Sequence, residues 1–288
     1  MHLSRFPIRS LMASGAVLGL LVAFGPAAGA STAGSAHSGA SLTARAAAAA
    51  RAALRDLKVG QHATDHRVAG RPARVQGLNQ VQSTNWSGYA DDNSAGSTYS
   101  TVTANWTEPA VSCPSRTTQL AAFWVGIDGY TSGSVEQDGT LAECYHGSAF
   151  YFTWWEMYPS NAIQTVGSSV SPGDSISASV VRSGTSYTLK VTDSTHPANS
   201  FSTTQSCSNC ANSSAEWIAE APSGSRGIYP LANFGTWTAS GATVNSGTIS
   251  SFADDEITMV DNSGAVKAQP GPLGGGGSSF SVTWERSS

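Results

Sequence analysis

In the stretch Ser214-Ala-Glu-Trp-Ile-Ala-Glu220, successive side chains of a strand point to opposite faces, so Glu216, Ile218 and Glu220 share one face and Trp217 and Ala219 take the other. Two further stretches follow the same pattern. Tyr151-Phe-Thr-Trp-Trp-Glu-Met157 places Phe152, Trp154 and Glu156 together, and Phe123-Trp-Val-Gly-Ile-Asp128 does so for Trp124, Gly126 and Asp128. A lone glutamate on a solvent face is unremarkable. Large aromatics recurring beside acids are not, because exposed tryptophan is costly unless something covers it, and the combination is that of a concave binding cleft.

Other period-two runs extend the pattern: Val102 to Trp106, Leu120 to Ile127, Ala149 to Tyr158, Ser175 to Val181, Tyr187 to Val191, Ala215 to Ala219, Thr236 to Ala239, Ile257 to Val260 and Phe280 to Trp284. Turn clusters such as Asp128-Gly129, Pro172-Gly173-Asp174, Ser183-Gly184 and Asn262-Ser263-Gly264 separate them, and no convincing helix or internal repeat interrupts them. The expected fold is all-β, an antiparallel sandwich of two sheets. Composition agrees: 71 Ser and Thr, 30 Gly and 8 Trp suit short strands joined by turns. Charged residues make up 12% of the 288, with a net charge of −4. That balance excludes a nucleic-acid-binding stripe, and so little charge is wrong for a solvated disordered chain.

The chain changes character near residue 80, since 23 of its 25 aromatic residues lie beyond that point. Residues 1–30 carry Arg5 and Arg9, an apolar run from Leu11 to Gly25 and the small-residue end Pro26 to Ala30, which reads as a secretory signal peptide. The run is short for a membrane anchor, which needs roughly 20 apolar residues, and no other segment could span a bilayer, so a secreted, extracellular protein without a membrane partner is expected. Residues 31–82 read as a pro-segment. Between 31 and 80 stand seven Lys and Arg against two acids, whereas beyond residue 80 there are six basic and seventeen acidic residues. A basic leader before an acidic body suggests electrostatic docking, released when carboxylates protonate in acid. Its Ala-rich run Leu42 to Lys58 has high helix propensity; a disordered linker is the plain alternative. Residues 83–288 form the body, long enough for one large core.

All four cysteines, Cys113, Cys144, Cys207 and Cys210, lie in the body, and an even number in a secreted chain implies two disulfides. Three pairings exist; Cys113 with Cys144 and Cys207 with Cys210 is favoured. Redox and zinc readings of the CxxC lack a second CxxC and a thioredoxin-like context, and only His146 and His196 stand in the body, so no metal is expected. Neither histidine sits in a nucleophile-activating motif, and GxSxG, HExxH and Walker loops are absent. Asp138-Gly139-Thr140 has the residues of a pepsin-type motif in the wrong order and only once. Carboxylates and amides are left as catalysts.

Asn85-Trp-Ser-Gly-Tyr89, Trp124-Val-Gly-Ile-Asp-Gly129, Glu136-Gln137, Trp154-Trp-Glu-Met-Tyr-Pro159, Gly173-Asp174 and Ala215-Glu-Trp-Ile-Ala-Glu220, in this order, resemble the glutamic peptidases, or eqolisins, family G1. Each motif alone is weak; six in sequence, covering about Asn85 to Trp284, are specific. The resemblance implies a concanavalin-like (jelly-roll) sandwich of two curved antiparallel sheets, endopeptidase activity at acid pH, and a secreted zymogen whose pro-segment acts as an intramolecular inhibitor. It places the catalytic glutamine on Gln137 and the catalytic glutamate on Glu220, with Trp124, Asp128, Trp154 and Glu156 lining the substrate cleft. The chain departs from fungal members at Leu141 and Phe152, where those carry acids, which bears on pH optimum and subsite preference.

The chemistry follows from charge states. In acid an imidazole with pKa near 6.5 is protonated and cannot serve as base, while a glutamate with pKa near 4.3 still accepts a proton from water. Glu220 would activate the attacking water and return the proton to the leaving nitrogen. Gln137 would donate a non-titrating N–H to the oxyanion, worth roughly 3–4 kcal/mol in comparable sites. No cofactor is required, and protein or peptide substrates and a monomeric enzyme are expected. Glu216 reads as support or as solvent-facing. The rival is a glycan-binding or glycoside-hydrolysing sandwich using Glu216 with Glu220. Their Cα atoms lie about 13 Å apart on a straight strand, whereas a retaining pair needs carboxyls about 5 Å apart, and Ile218 stands where sandwich glycosidases carry an acid.

Overall fold

The computed structural model describes residues 45, 48–52, 54, 57–59, 74–75, 78–92, 96, 98–114, 117–167, 169–252 and 255–288. The expected signal peptide, 1–30, and most of the expected pro-segment lie outside them. Thr43–Ser288 forms one compact unit. Among the described residues no helix is long and apolar enough to cross a membrane.

Fifteen principal strands carry the fold: β1 (Leu78–Ser83), β2 (Trp86–Asp92), β3 (Thr101–Thr107), β4 (Gln119–Ile127), β5 (Val135–Tyr145), β6 (Ser148–Tyr158), β7 (Asn161–Thr165), β8 (Ser175–Ser183), β9 (Ser186–Asp193), β10 (Phe201–Ser206), β11 (Ser214–Glu220), β12 (Thr236–Val244), β13 (Asp255–Val260), β14 (Val266–Pro270) and β15 (Phe280–Trp284). One sheet runs β7-β6-β5-β4-β11-β2 and continues through β13, β14 and β15 to the first half of β12. The other runs β10-β9-β8-β3 and ends on the second half of β12. β12 therefore turns a corner between the sheets: its register shifts between Ser240 and Thr243, where Gly241 adopts φ +56°. All these pairings are antiparallel, as expected from the sequence. β1 alone adds in parallel, against β13.

Between the sheets lies the larger apolar core. Phe123, Val125 and Ile127 of β4 and Trp217 of β11 pack there against Val102, Ala104 and Trp106 of β3, Ile176 and Val180 of β8 and Leu189 of β9. The second sheet has this core on one face only, so β8 alternates exposed serines with buried Ile176, Ala178 and Val180. In the first sheet, β4 and β11 are buried along their whole length. Their second face carries a separate cluster, Trp86, Trp124, Trp154, Phe152, Leu141 and Ile218. That face is covered by the leader: Ala50, Leu54, Leu57 and Val59 belong to the same cluster.

Several elements differ from the sequence expectation. β5, with Val135-Glu-Gln-Asp-Gly-Thr140, carries no apolar alternation, yet it is an 11-residue strand. β1, β2, β7, β10 and β14 also went unread. β1 crosses the boundary expected at 82/83, because its residues 79–83 pair with β13 and Asn79 Nδ2 donates to Asp255 Oδ1 at 2.8 Å. A four-residue helix, Ile249–Phe252, follows β12 where no helix was expected. The cysteines form the bridges Cys113–Cys144 and Cys207–Cys210, with Cα separations of 5.4 and 5.7 Å.

Candidate active site

β4 is the axis of the site, with β5 on one side and β11 on the other. Register places Ala90, Glu216, Gly126, Gln137 and Glu156 in one row across five strands, and Trp86, Glu220, Ala122, Leu141 and Phe152 in another. Between them runs Gly88, Ile218, Trp124, Gly139 and Trp154. All fifteen positions share the face turned away from the main core. Gln137 and Glu220 are thus on one surface, on strands flanking the same neighbour, with both side chains buried.

Trp124 spans the diagonal between them. Its Nε1–H donates to Glu220 Oε2 at 2.9 Å. Its ring lies over Gly126, where a Cβ would come within 2.9 Å of Trp124 Cζ3 and 3.2 Å of Gln137 Cβ. A side chain at 126 would push apart the indole and the glutamine, which is why glycine stands there. Trp86 meets Trp124 edge-on at 5.0 Å and fixes the ring from the other side. Gly88 does similar work on β2: a Cβ there would lie 2.1 Å from Trp217 O, so only glycine lets β2 approach β11 this closely.

The glutamate has a second holder. Asn85 Nδ2 lies 3.5 Å from Glu220 Oε1, at the long limit of a hydrogen bond, while Asn85 Oδ1 accepts from Ser83 Oγ at 3.0 Å. Asn85 was visible in the sequence only as part of a motif, without a role. Its signal was the Asn-Trp pair that the structure spends on the two sides of the Glu220–Trp124 contact.

Gln137 Nε2 donates both its hydrogens, to Glu156 Oε2 at 2.9 Å and to the backbone carbonyl of Val59 at 2.7 Å. Burial pushes Glu156 up to about 8, moderated by the Gln137 hydrogen bond, the Val59 backbone and Lys58. In acid Glu156 is therefore neutral, and its carboxyl still accepts from the amide. The carboxamide's orientation is fixed by an acceptor on one side, leaving the other N–H to a peptide carbonyl.

Asp128 sits at the end of β4 with φ +69°, a conformation Asp tolerates better than most residues. Its carboxylate accepts from the backbone N–H groups of Asn212 and Ser213, both at 2.8 Å, and from the hydroxyls of Ser213 and Ser134, both at 3.1 Å. It thereby clamps the turn that launches β11, whereas the sequence reading had it lining the cleft. Glu216 is fully buried, and burial pushes its carboxyl well above the ordinary glutamate range, opposed by the Ser214 hydroxyl. It is not solvent-facing. Trp154 lies in the row of Trp124 and is buried in the site cluster.

The leader reaches this face as an extended segment. Lys58 N donates to Ser223 O at 2.7 Å and Ser223 N to Lys58 O at 2.9 Å, an antiparallel bridge just beyond β11. Upstream, residues 45 and 48–52 are helical, and Arg51 Nε donates to Thr165 Oγ1 at 2.8 Å, with its guanidinium also on the Val166 carbonyl. The charge asymmetry led us to expect electrostatic docking. Among the described residues, the two ion pairs are Asp174–His196 and Asp261–Arg286, neither in the leader. The described leader contacts combine apolar packing, backbone hydrogen bonds and the Arg51 guanidinium, which also lies over the Phe152 ring at 5.9 Å.

A β-sheet face that receives an extended stretch of its own chain, with a carboxamide on that stretch's carbonyl and a held carboxylate nearby, defines a polypeptide-handling enzyme. Residues 84–273 match the Peptidase A4 family, and the chain belongs to it: it is a peptide hydrolase of the glutamic peptidase type. Over 206 residues it is 28% identical to aspergillopepsin-2 of Aspergillus niger, covering 64% of this chain and 71% of that protein. It is 33% identical to scytalidopepsin B of Scytalidium lignicola over 167 residues, 54% of this chain and 62% of the other. The chain thus spans less than two thirds of the second relative. The crystal structure of scytalido-glutamic peptidase with a peptide-based transition-state analogue shares the fold, with TM-score 0.54 and 24% identity over 70% of this chain and 98% of that one.

Proposed function

We propose that the chain is a secreted acid endopeptidase, built on a concanavalin-like sandwich and made with a signal peptide and an inhibitory leader. Glu220 takes a proton from the attacking water and returns it to the leaving nitrogen. Gln137 donates its free N–H to the carbonyl oxygen as that becomes an oxyanion. Glu156 and Asp128 are positioning residues, the first for the Gln137 carboxamide and the second for β11. Trp124 and Trp154 wall the cleft, and Trp124 holds Glu220 in place.

The single observation that carries this reading is the 2.7 Å hydrogen bond from Gln137 Nε2 to the Val59 carbonyl, in which a peptide carbonyl accepts from the amide assigned to the oxyanion. A peptide-based analogue bound to scytalido-glutamic peptidase supports a peptide as the substrate class. The leader inhibits by occupying this position, and the enzyme works as a monomer. The test is incubation of the leader-free protein at about pH 3–4, below the ordinary glutamate range, with a denatured protein and with β-glucan. Cleavage of the protein alone is expected; cleavage of the glucan alone would make the site a glycosidase.

A further inference from the structure

The leader segment does more than cover the cleft, because it is seated in the manner of a substrate. Lys58 exchanges both backbone hydrogen bonds with Ser223, an isolated antiparallel bridge by which the segment meets the chain just beyond β11. In that geometry alternate side chains go in and out: Leu57 and Val59 are buried in the site cluster while Lys58 is exposed. Val59 is fixed at both backbone groups, its N–H by Glu156 and its carbonyl by Gln137. An inhibitor needs only to exclude substrate. This one also delivers a carbonyl to the one amide N–H that Glu156 leaves free.

We infer that the peptide bond following Val59 is the bond this enzyme hydrolyses in its own chain. The inference rests on the proposed roles of Gln137 and Glu220. Water adds through its oxygen to the Val59 carbonyl carbon. Glu220 accepts one water proton, the oxyanion rests on Gln137, and the C–N bond to the next residue in sequence, Gly60, breaks as Glu220 returns the proton to nitrogen. The products are a new carboxyl terminus at Val59 and a new amine at Gly60, with one water consumed. A cut at the expected 82/83 boundary fits poorly with β1, whose residues 79–83 are paired into the sheet and would be severed or stripped of a neighbour. A cut after Val59 leaves that strand whole. The same seating defines the acyl-side preference: a branched aliphatic residue at the scissile carbonyl and a second aliphatic two residues before it, with an indifferent, solvent-facing residue between.

The experiment uses the full chain purified at neutral pH, then brought to about pH 3.5 and sampled by mass spectrometry, with digestion of a denatured protein measured in parallel. The earliest product is expected to begin at Gly60, at a rate independent of protein concentration. Val59→Asp is expected to slow that cut at least tenfold, while the variant, once freed of its leader by an added protease, digests denatured protein at the wild-type rate. A synthetic peptide of residues 55–64 tests the same bond without relying on the variant's folding, and cleavage between Val59 and Gly60 is expected. A first cut elsewhere, with the peptide left intact and denatured protein digested normally, overturns the inference. Failure to digest any protein overturns instead the catalytic reading beneath it.

Discussion

β8 and β5 are both long antiparallel strands, yet one is plain from its sequence and the other is not. Ser175-Ile-Ser-Ala-Ser-Val180 alternates because water lies on one side and the core on the other. In Val135-Glu-Gln-Asp-Gly-Thr140 neither side is water: Gln137 and Gly139 face the site, while Asp138 faces the second sheet, where the backbone of Ser179 and Lys190 meets its carboxyl. The lesson is that a strand carrying function on one face and buried polar groups on the other loses the signature by which strands are recognised. The two sheets should accordingly respond very differently to substitution, and the predictions below probe that contrast.

The largest effect is expected on the site sheet. Glu220→Gln should lower kcat against denatured protein by at least about a thousandfold, comparable to losses at other essential acid–base groups, with tryptophan fluorescence and thermal unfolding unchanged. Gln137→Ala should cost about a hundred- to a thousandfold in kcat, the range for one oxyanion donor.

A smaller and diagnostic effect is expected at Glu156. Because its carboxyl is neutral in acid, Glu156→Gln preserves the acceptor for the Gln137 amide and should change kcat less than about tenfold at pH 3.5, whereas Glu156→Leu removes the acceptor and should cost ten times more. Equal losses in the two variants would refute the orienting role.

Buried carboxyls govern the pH dependence of stability. Burial raises Glu108 to about 7 and Glu143 to about 8. A carboxyl raised in the folded state favours folding while both states are protonated. That contribution is complete below the unfolded pKa of about 4.5 and is lost as pH climbs through the folded values. The unfolding midpoint should therefore be highest in acid and fall between about pH 5 and 8, by about 2–4 °C for each kcal/mol lost. A thermal scan across that range checks it, and a midpoint that rose over the interval would refute it. The smallest effect belongs to the second sheet, where the exposed hydroxyl pair Thr188–Thr204 can become Val–Thr with a change within about 0.5 kcal/mol.

How much was legible follows the same division. β3, β4, β6, β8, β9, β11, β12, β13 and β15 were readable, in whole or part, as period-two runs. Glu156 and Glu220 were placed on their shared face by counting in twos. Gln137 was findable only through its family resemblance, since its strand reads as a loop. Asn85 stood out only as part of the Asn-Trp motif, without a role, because that role arises from a contact with a residue 135 positions away. Asp128 was assigned to the right face of β4 by parity. At the strand's end, however, its left-handed backbone turns the carboxylate onto the Asn212–Ser213 turn, and parity ceases to apply. The leader's charge pointed to basic side chains, of which Arg51 and Lys58 act on the body, but not to Leu54, Leu57 and Val59, whose apolar side chains fit the aromatic face.

The proposed mechanism requires residues 137 and 220 to work on one carbonyl as a unit. It is tested most directly by kcat/KM against a denatured protein at pH 3.5 for Glu220→Gln, Gln137→Ala and the double variant. Residues acting together are strongly non-additive, so the double variant should be no more than a few-fold worse than Glu220→Gln alone. Losses that multiply in the double variant, or full activity in Glu220→Gln, would contradict it.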